Sequence, residues 1–306
     1  KTSFFIMAPL SRTETKLTIF LLFIFFAGQL AFVLKTSHFN DIGFLRRTHG
    51  TDDAVALYSP PPAFDGLEPE AVWRFFGQLT QIPRPSKEEG KVLGFLVGFA
   101  EARGLEWVQD KAGNLVIRKP GCNGGESAPP VVIQGHVDMV CEKNKGSTHD
   151  FSKDPLSVQL QGDWIKAEGT TLGADNGLGV AVALALLDMD NSSRALPPLE
   201  CLFTVDEETG LHGAMDLDSS IVKGKMILNL DTEDWGTIFV GSAGGGDSRI
   251  HLPLARELAP PEGYQYYSLK ISGLMGGHSG LNIHEDRANA VVSLARLLDY
   301  LFSPDK

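Results

Sequence analysis

The apolar residues of this chain first run together and only later fall into rhythm. Residues 17–34 are almost wholly apolar between Lys16 and Lys35. A stretch of that kind is long enough for a signal peptide or an uncleaved anchor, since a membrane span takes roughly 17–25 apolar residues. Residues 35–65 mix Arg46-Arg47, Ser, Thr, Asp and the run Pro60-Pro61-Pro62 without periodicity, and read as a linker, so that 1–65 form a leader and linker. Periodic patterning follows. Helical spacing marks 68–82, 87–104, 174–187 and 211–217, and short apolar or alternating runs mark strands at 105–109, 114–118, 130–134, 200–205 and 226–230. This alternation predicts an α/β domain over 66–248, with a mostly parallel sheet flanked by helices and binding groups gathered at the carboxyl ends of its strands.

Past Gly246 the character changes. Residues 264–271 alternate like a strand, 273–280 are a Gly-rich turn, and 287–302 read as an amphipathic helix. They are expected to begin a second, α+β domain over 249–306, too short to close a core and therefore truncated. A chain starting at Lys1, with its first Met at Met7, likewise reads as a fragment or an unprocessed translation.

Composition narrows the classes of function. With 306 residues, 43% hydrophobic and 21% charged, the chain has room for more than one core, and its net charge of -11 gives no nucleic-acid footprint. Three cysteines without Cys-x-x-Cys spacing predict free thiols, with Cys201 buried in a strand. Asn191-Ser192-Ser193 is a glycosylation acceptor if the chain enters the secretory route. Membrane contact is expected only through the N-terminal apolar segment.

Four segments bear the candidate chemistry. Gly135-His136-Val137-Asp138-Met139 follows a strand and offers an imidazole and a carboxylate on one side of an extended segment. Gly173-Ala174-Asp175-Asn176-Gly177 sets Asp175 at a helix start, where its carboxylate could bridge two cations and the glycines permit close approach. Asp206-Glu207-Glu208-Thr209-Gly210 follows another strand; one of its adjacent carboxylates could bind metal while the other serves as a general base. Asn229-Leu230-Asp231 adds a further ligand at a strand end. Singly, each has a plain structural reading as a surface histidine, an N-cap, a solvated pair or a turn residue. Four strand-end or helix-start placements of metal-ligand types together favour a metal site. No Gly-rich stretch ends in the Gly-Lys-Ser/Thr of a phosphate loop.

In this order the segments resemble the zinc peptidase family of aminoacylase, carnosinase and related dipeptidases. The likeness runs from Gly66 to the end and includes Ile82-Pro83-Arg84-Pro85-Ser86, 114–120, His149-Asp150-Phe151 and Gly276-Gly277-His278-Ser279-Gly280. It implies a zinc exopeptidase-like catalytic domain, with the start of an inserted α+β lid or dimerisation domain. It also implies two Zn2+ per complete site, with Mn2+ or Co2+ as alternatives. By the resemblance, His136 and Asp231 hold one zinc, Asp175 bridges, Glu208 holds the other, Glu207 is the general base, Asp138 orients His136, and His278 reaches the substrate carbonyl. The implied substrates are short peptides, Xaa-His dipeptides included, and the implied assembly is a homodimer through the lid. An aminopeptidase, an N-acyl-amino-acid deacylase and an inactive metal-binding relative are the alternatives. The leader argues for a secretory or membrane-targeted protein and the relatives for a cytosolic one. The family completes its second zinc with a late histidine. His149, His212, His251 and His284 do not match its context, so the second position is expected to be deficient and the activity of the 306 residues alone to be impaired.

Overall fold

The computed structural model of the protein describes Ile6–Met7, residues 58–192, 194–232, 236–242, 244, 249, 251, 253, 268–277, 282 and 284–303. They divide into two compact units, separated between Gly241 and Ser242. The apolar run 17–34, Ser193 of the sequon and His278 lie outside the described residues. Among the described residues no helix is long and apolar enough to cross a membrane.

In chain order the first unit holds β1 (Ile6–Met7), α1 (Glu70–Thr80), α2 (Gly90–Ala102), β2 (Glu106–Gln109), β3 (Leu115–Lys119), β4 (Val131–His136), β5 (Val158–Gln161) and β6 (Trp164–Ala167). After these come α3 (Ala174–Asp188), β7 (Leu199–Thr204), α4 (His212–Met215) and β8 (Met226–Asn229). The second unit contributes α5 (Ala290–Phe302). Helix α2 buries Val92, Phe95, Leu96, Phe99 and Ala100, the i, i+3, i+4, i+7, i+8 stripe of an amphipathic helix, and Gly104 in the left-handed region (φ 63°) turns the chain out of it. Helix α1 buries Trp73, Phe75, Phe76 and Leu79. Its Trp73 and Phe76 meet Phe64 with ring centroids 6.1 and 5.6 Å away.

The central sheet has the order β2-β3-β7-β4-β8. β7, β4 and β8 are mutually parallel, β3 is antiparallel to β7, and β2 is antiparallel to β3, so only β3 runs against the rest. The central strands β3, β4 and β7 are covered on both faces, which is why their runs Leu115-Val116-Ile117, Val131-Val132-Ile133 and Cys201-Leu202-Phe203 are apolar without alternation. Leu115, Ile117, Ile133, Cys201 and Phe203 enter the main core, while Val116, Val132 and Leu202 enter a smaller one with Ile221 on the opposite face. The expected buried strand position of Cys201 is found, and all three cysteines are free. A second small sheet, β1-β6-β5, is not among the elements expected from the apolar pattern.

Helix α3 packs on α1 and across β4. Its C-terminus would repel the Asp188 carboxylate, but Arg74 from α1 and Arg103 beyond α2 each bond that carboxylate at 2.7 Å. At its other end, Asn176 Nδ2 donates to the carbonyl of Leu230 just past β8 (2.8 Å). Space for this amide is made by two glycines: a Cβ at Gly135 would stand 2.6 Å from Asn176 Oδ1, and one at Gly179 would overlap it.

In the second unit, Asn289 caps α5 by accepting from the amide of Val292 (3.0 Å). The strand expected over 264–271 is absent from its described part, 268–271, which pairs with no strand among the described residues; 264–267 lie outside them.

The packing at Gly179 yields a sign test. Alanine is the better helix former by about 1 kcal/mol, yet Gly179→Ala is expected to destabilise the protein by about 1–3 kcal/mol by expelling the Asn176 amide. Urea unfolding of the two proteins measures this, and an unchanged or raised midpoint would show that the junction has slack.

Candidate metal centre

The parallel strands β7, β4 and β8 end at one edge of the sheet, and the expected donors gather there. His136 closes β4, Glu207 and Glu208 follow β7, and Asp231 lies two residues past β8. Asp175 comes from the entry to α3, where Gly173 takes a left-handed conformation (φ 67°). Asp175 itself is extended (φ −81°, ψ 114°), so regular helical geometry sets in beyond Asn176 and the carboxylate is carried by the approach to the helix.

His136 is 1% exposed and stands at the centre. Its Nε2 lies 2.9 Å from Asp175 Oδ1 and 3.9 Å from both Glu207 Oε2 and Asp231 Oδ2. Two trios, His136–Asp175–Asp231 and His136–Glu207–Glu208, each bring one ligand atom per residue within 4.8 Å of one another. Glu207 and Glu208 thus converge on the same imidazole. His136, Asp175, Glu207, Glu208 and Asp231 are all brought together.

Asp138 is fully buried beneath this cluster. Its backbone carbonyl and its Oδ1 lie 3.2 and 3.3 Å from His136 Nδ1, which favours the tautomer with a proton on Nδ1 and a lone pair on Nε2 facing the acids. The same carboxylate accepts the amides of Glu207 and Glu208 (3.1 Å each) and the Ser86 hydroxyl (2.7 Å). The preceding amide, of Asp206, donates to Glu89 Oε1 (2.9 Å). Three consecutive amides after β7 are therefore captured by two carboxylates, and the loop presenting Glu207 and Glu208 is fixed.

Charge crowding shows in the proton affinities. Burial, then the nearby Asp175, pushes Glu208 up to about 8, and burial with Asp175 and Asp138 raises Glu207. Asp231 is raised well above the usual carboxylate range by burial and by the surrounding acids, against the pull of His136. Burial opposes the charged form of His136, but hydrogen bonds to Asp138 and Asp175 more than offset it and raise its pKa. Asp138 goes the other way, to about 2: burial would raise it, but His136, Ser86 and the loop amides hold its anion. One imidazole cannot neutralise four carboxylates, and a set of buried carboxylate oxygens around an imidazole nitrogen is the donor chemistry that takes a divalent cation.

Sequence reasoning missed the contributions of Ser86, Glu89 and Asn176, and gave Arg84 no role beyond the Pro-Arg-Pro motif. None shows periodicity or a metal-ligand type placed at a strand end.

Fold and site together define an α/β framework with a candidate metal centre at the carboxyl edge of its parallel strands. Over 232 residues, 76% of its length, the chain is 44% identical to the cytosol non-specific dipeptidase of Escherichia coli (strain K12), of which it covers 47%. The crystal structure of an aminoacylhistidine dipeptidase from Vibrio alginolyticus matches with a TM-score of 0.58 at 38% identity, over 77% of this chain and 47% of that one. No family model matches the chain. The chain spans about half the length of these relatives. The resemblance read from the motif order, within the aminoacylase and carnosinase family to aminoacyl-histidine dipeptidase, is the likeness found.

A pH dependence follows from the proton affinities. Glu208, at about 8 when folded against an ordinary 4.5, retains a proton that the unfolded chain releases, so its contribution to stability declines as pH climbs through that window. His136, raised above 6.5, favours the fold at low pH and loses that effect as pH rises through its folded value. Asp138, lowered from 3.8 to about 2, contributes above that window and loses its effect as pH falls through it. The chelator-treated protein is therefore expected to be most stable in mild acid and to weaken towards pH 8, with saturating zinc removing the decline. Thermal melting across pH 5–8 with and without zinc checks this; stability that rises from pH 5 to 8 in chelator would contradict it.

Proposed function

We propose that the protein is a metal-dependent dipeptidase that hydrolyses the peptide bond of short peptides, Xaa-His dipeptides included. The observation that carries the reading is the convergence of His136, Asp175 and Asp231 with Glu207 and Glu208 at the carboxyl edge of the parallel strands. The likeness to a dipeptidase over three quarters of the chain supports it.

On this reading His136 and Asp231 would serve one zinc and Glu208 a second, with Asp175 available to both and Mn2+ or Co2+ as substitutes. Such cations, when bound, supply Lewis acidity to a carbonyl and acidify a water molecule. Asp138 keeps His136 in the tautomer that offers Nε2 and fixes the loop of Glu207. Glu207, 10% exposed at its side chain and raised in proton affinity, takes the proton of the attacking water on a carboxylate oxygen and returns it to the leaving amine.

The second unit, with its helix Ala290–Phe302, fits the beginning of a lid through which the full-length protein would pair as a homodimer. A cytosolic location is supported by the name of the Escherichia coli relative, and secretory or membrane targeting by the residues 17–34.

Glu207→Gln is expected to leave zinc stoichiometry unchanged and to lower kcat for dipeptide hydrolysis by about 10²–10⁴-fold. Metal analysis and turnover, measured on the full-length protein and its variant, check this. Turnover within a few-fold of the parent would remove Glu207 from the role of base, and absence of dipeptide hydrolysis in a zinc-loaded parent would remove the dipeptidase reading.

A further inference from the structure

Arg84 lies between Pro83 and Pro85, is 2% exposed, and belongs to neither helix nor strand. Its Nη1 donates to the carbonyls of Val137 and Asp138, both at 2.9 Å, and its Nη2 donates to the carbonyl of Gly173. One planar group thus joins the segment just after His136 to the segment just before Asp175. The surroundings are cleared for it: a Cβ at Gly177 would stand 2.7 Å from Nη2, and one at Gly173 would overlap that nitrogen. Two glycines of the Gly173-Ala174-Asp175-Asn176-Gly177 motif are therefore accounted for by the guanidinium.

The choice of acceptors matters. Asp138, Asp175 and Glu208 all lie close enough to interact with the Arg84 charge, yet its hydrogen bonds go to three backbone carbonyls. An arginine paired directly with these acids would occupy the oxygens a cation needs. Held by carbonyls, it offsets part of the repulsion without occupying those oxygens itself.

We infer that Arg84 is a positioning residue of the metal centre, fixing His136 and Asp138 relative to Asp175 through their backbones without itself occupying a carboxylate that a divalent cation would use. The inference rests on the metal centre proposed above. Lysine is the informative replacement, because it keeps the charge but cannot span three carbonyls with a planar fork.

The test is titration of the full-length, metal-stripped protein with Co2+, read from the visible absorption of the bound ion. Arg84→Lys and Arg84→Met are compared with the parent and with Phe99→Leu, a buried core substitution remote from the centre that controls for lost stability. Both Arg84 variants are expected to bind Co2+ at least tenfold more weakly and with an altered band pattern, while Phe99→Leu binds with the parent spectrum. Gly177→Ala, which presses on Nη2 with Arg84 in place, is expected to weaken binding by less and carries the test if the Arg84 variants fail to fold. Parent-like affinity and spectrum in the variants that fold would overturn the inference alone. A parent that takes up no Co2+ would overturn the metal centre and the inference with it.

Discussion

Four carboxylates packed around one buried imidazole are held together against their own repulsion, and much of the surrounding structure reads as the means of doing so. The strands β7, β4 and β8 bring His136, Glu207, Glu208 and Asp231 to one edge because they run in the same direction. Burial, and then the neighbouring acids, raise the proton affinities, and Glu208 is carried to about 8. Protonation is one way to relieve such crowding and a divalent cation is the other. Since carboxylates must be deprotonated to bind metal, the two compete, and the site is built to gain from the cation at neutral pH.

The relief comes in layers. Asp138 draws two loop amides and the imidazole Nδ1 to itself, and its pKa is depressed while those of Glu207, Glu208 and Asp231 are raised. Asn176 ties the entry of α3 to the end of β8, and Arg84 ties it to the end of β4. Glycines 135, 173, 177 and 179 stand where a Cβ would strike one of these two side chains. The glycine-rich motifs are thus a space requirement of buried polar groups as much as a matter of backbone freedom.

Much of this could be read from residues alone. The α2 stripe has helical periodicity, the central strands show as short apolar runs, and the donors stand at strand ends where an α/β fold collects them. The hairpin β5–β6 also carried a signal, Gly162-Asp163 between Val-Gln-Leu-Gln and Trp-Ile-Lys-Ala, which is a two-residue turn between short runs. Arg84 was a different matter. Its role depends on carbonyls 53, 54 and 89 residues further along, and no local pattern encodes a contact of that range. For the same reason the entry to α3 looked helical, because only the folded site shows Asp175 held in an extended conformation before the helix.

The central claim is that the cluster around His136 is a metal centre, and diffraction at the zinc absorption edge from crystals of the zinc-loaded full-length protein tests it most directly. The account predicts an anomalous peak bounded by His136 Nε2 and the carboxylates of Asp175 and Asp231. A fully loaded protein with no peak there, or with its zinc bound elsewhere, would contradict it.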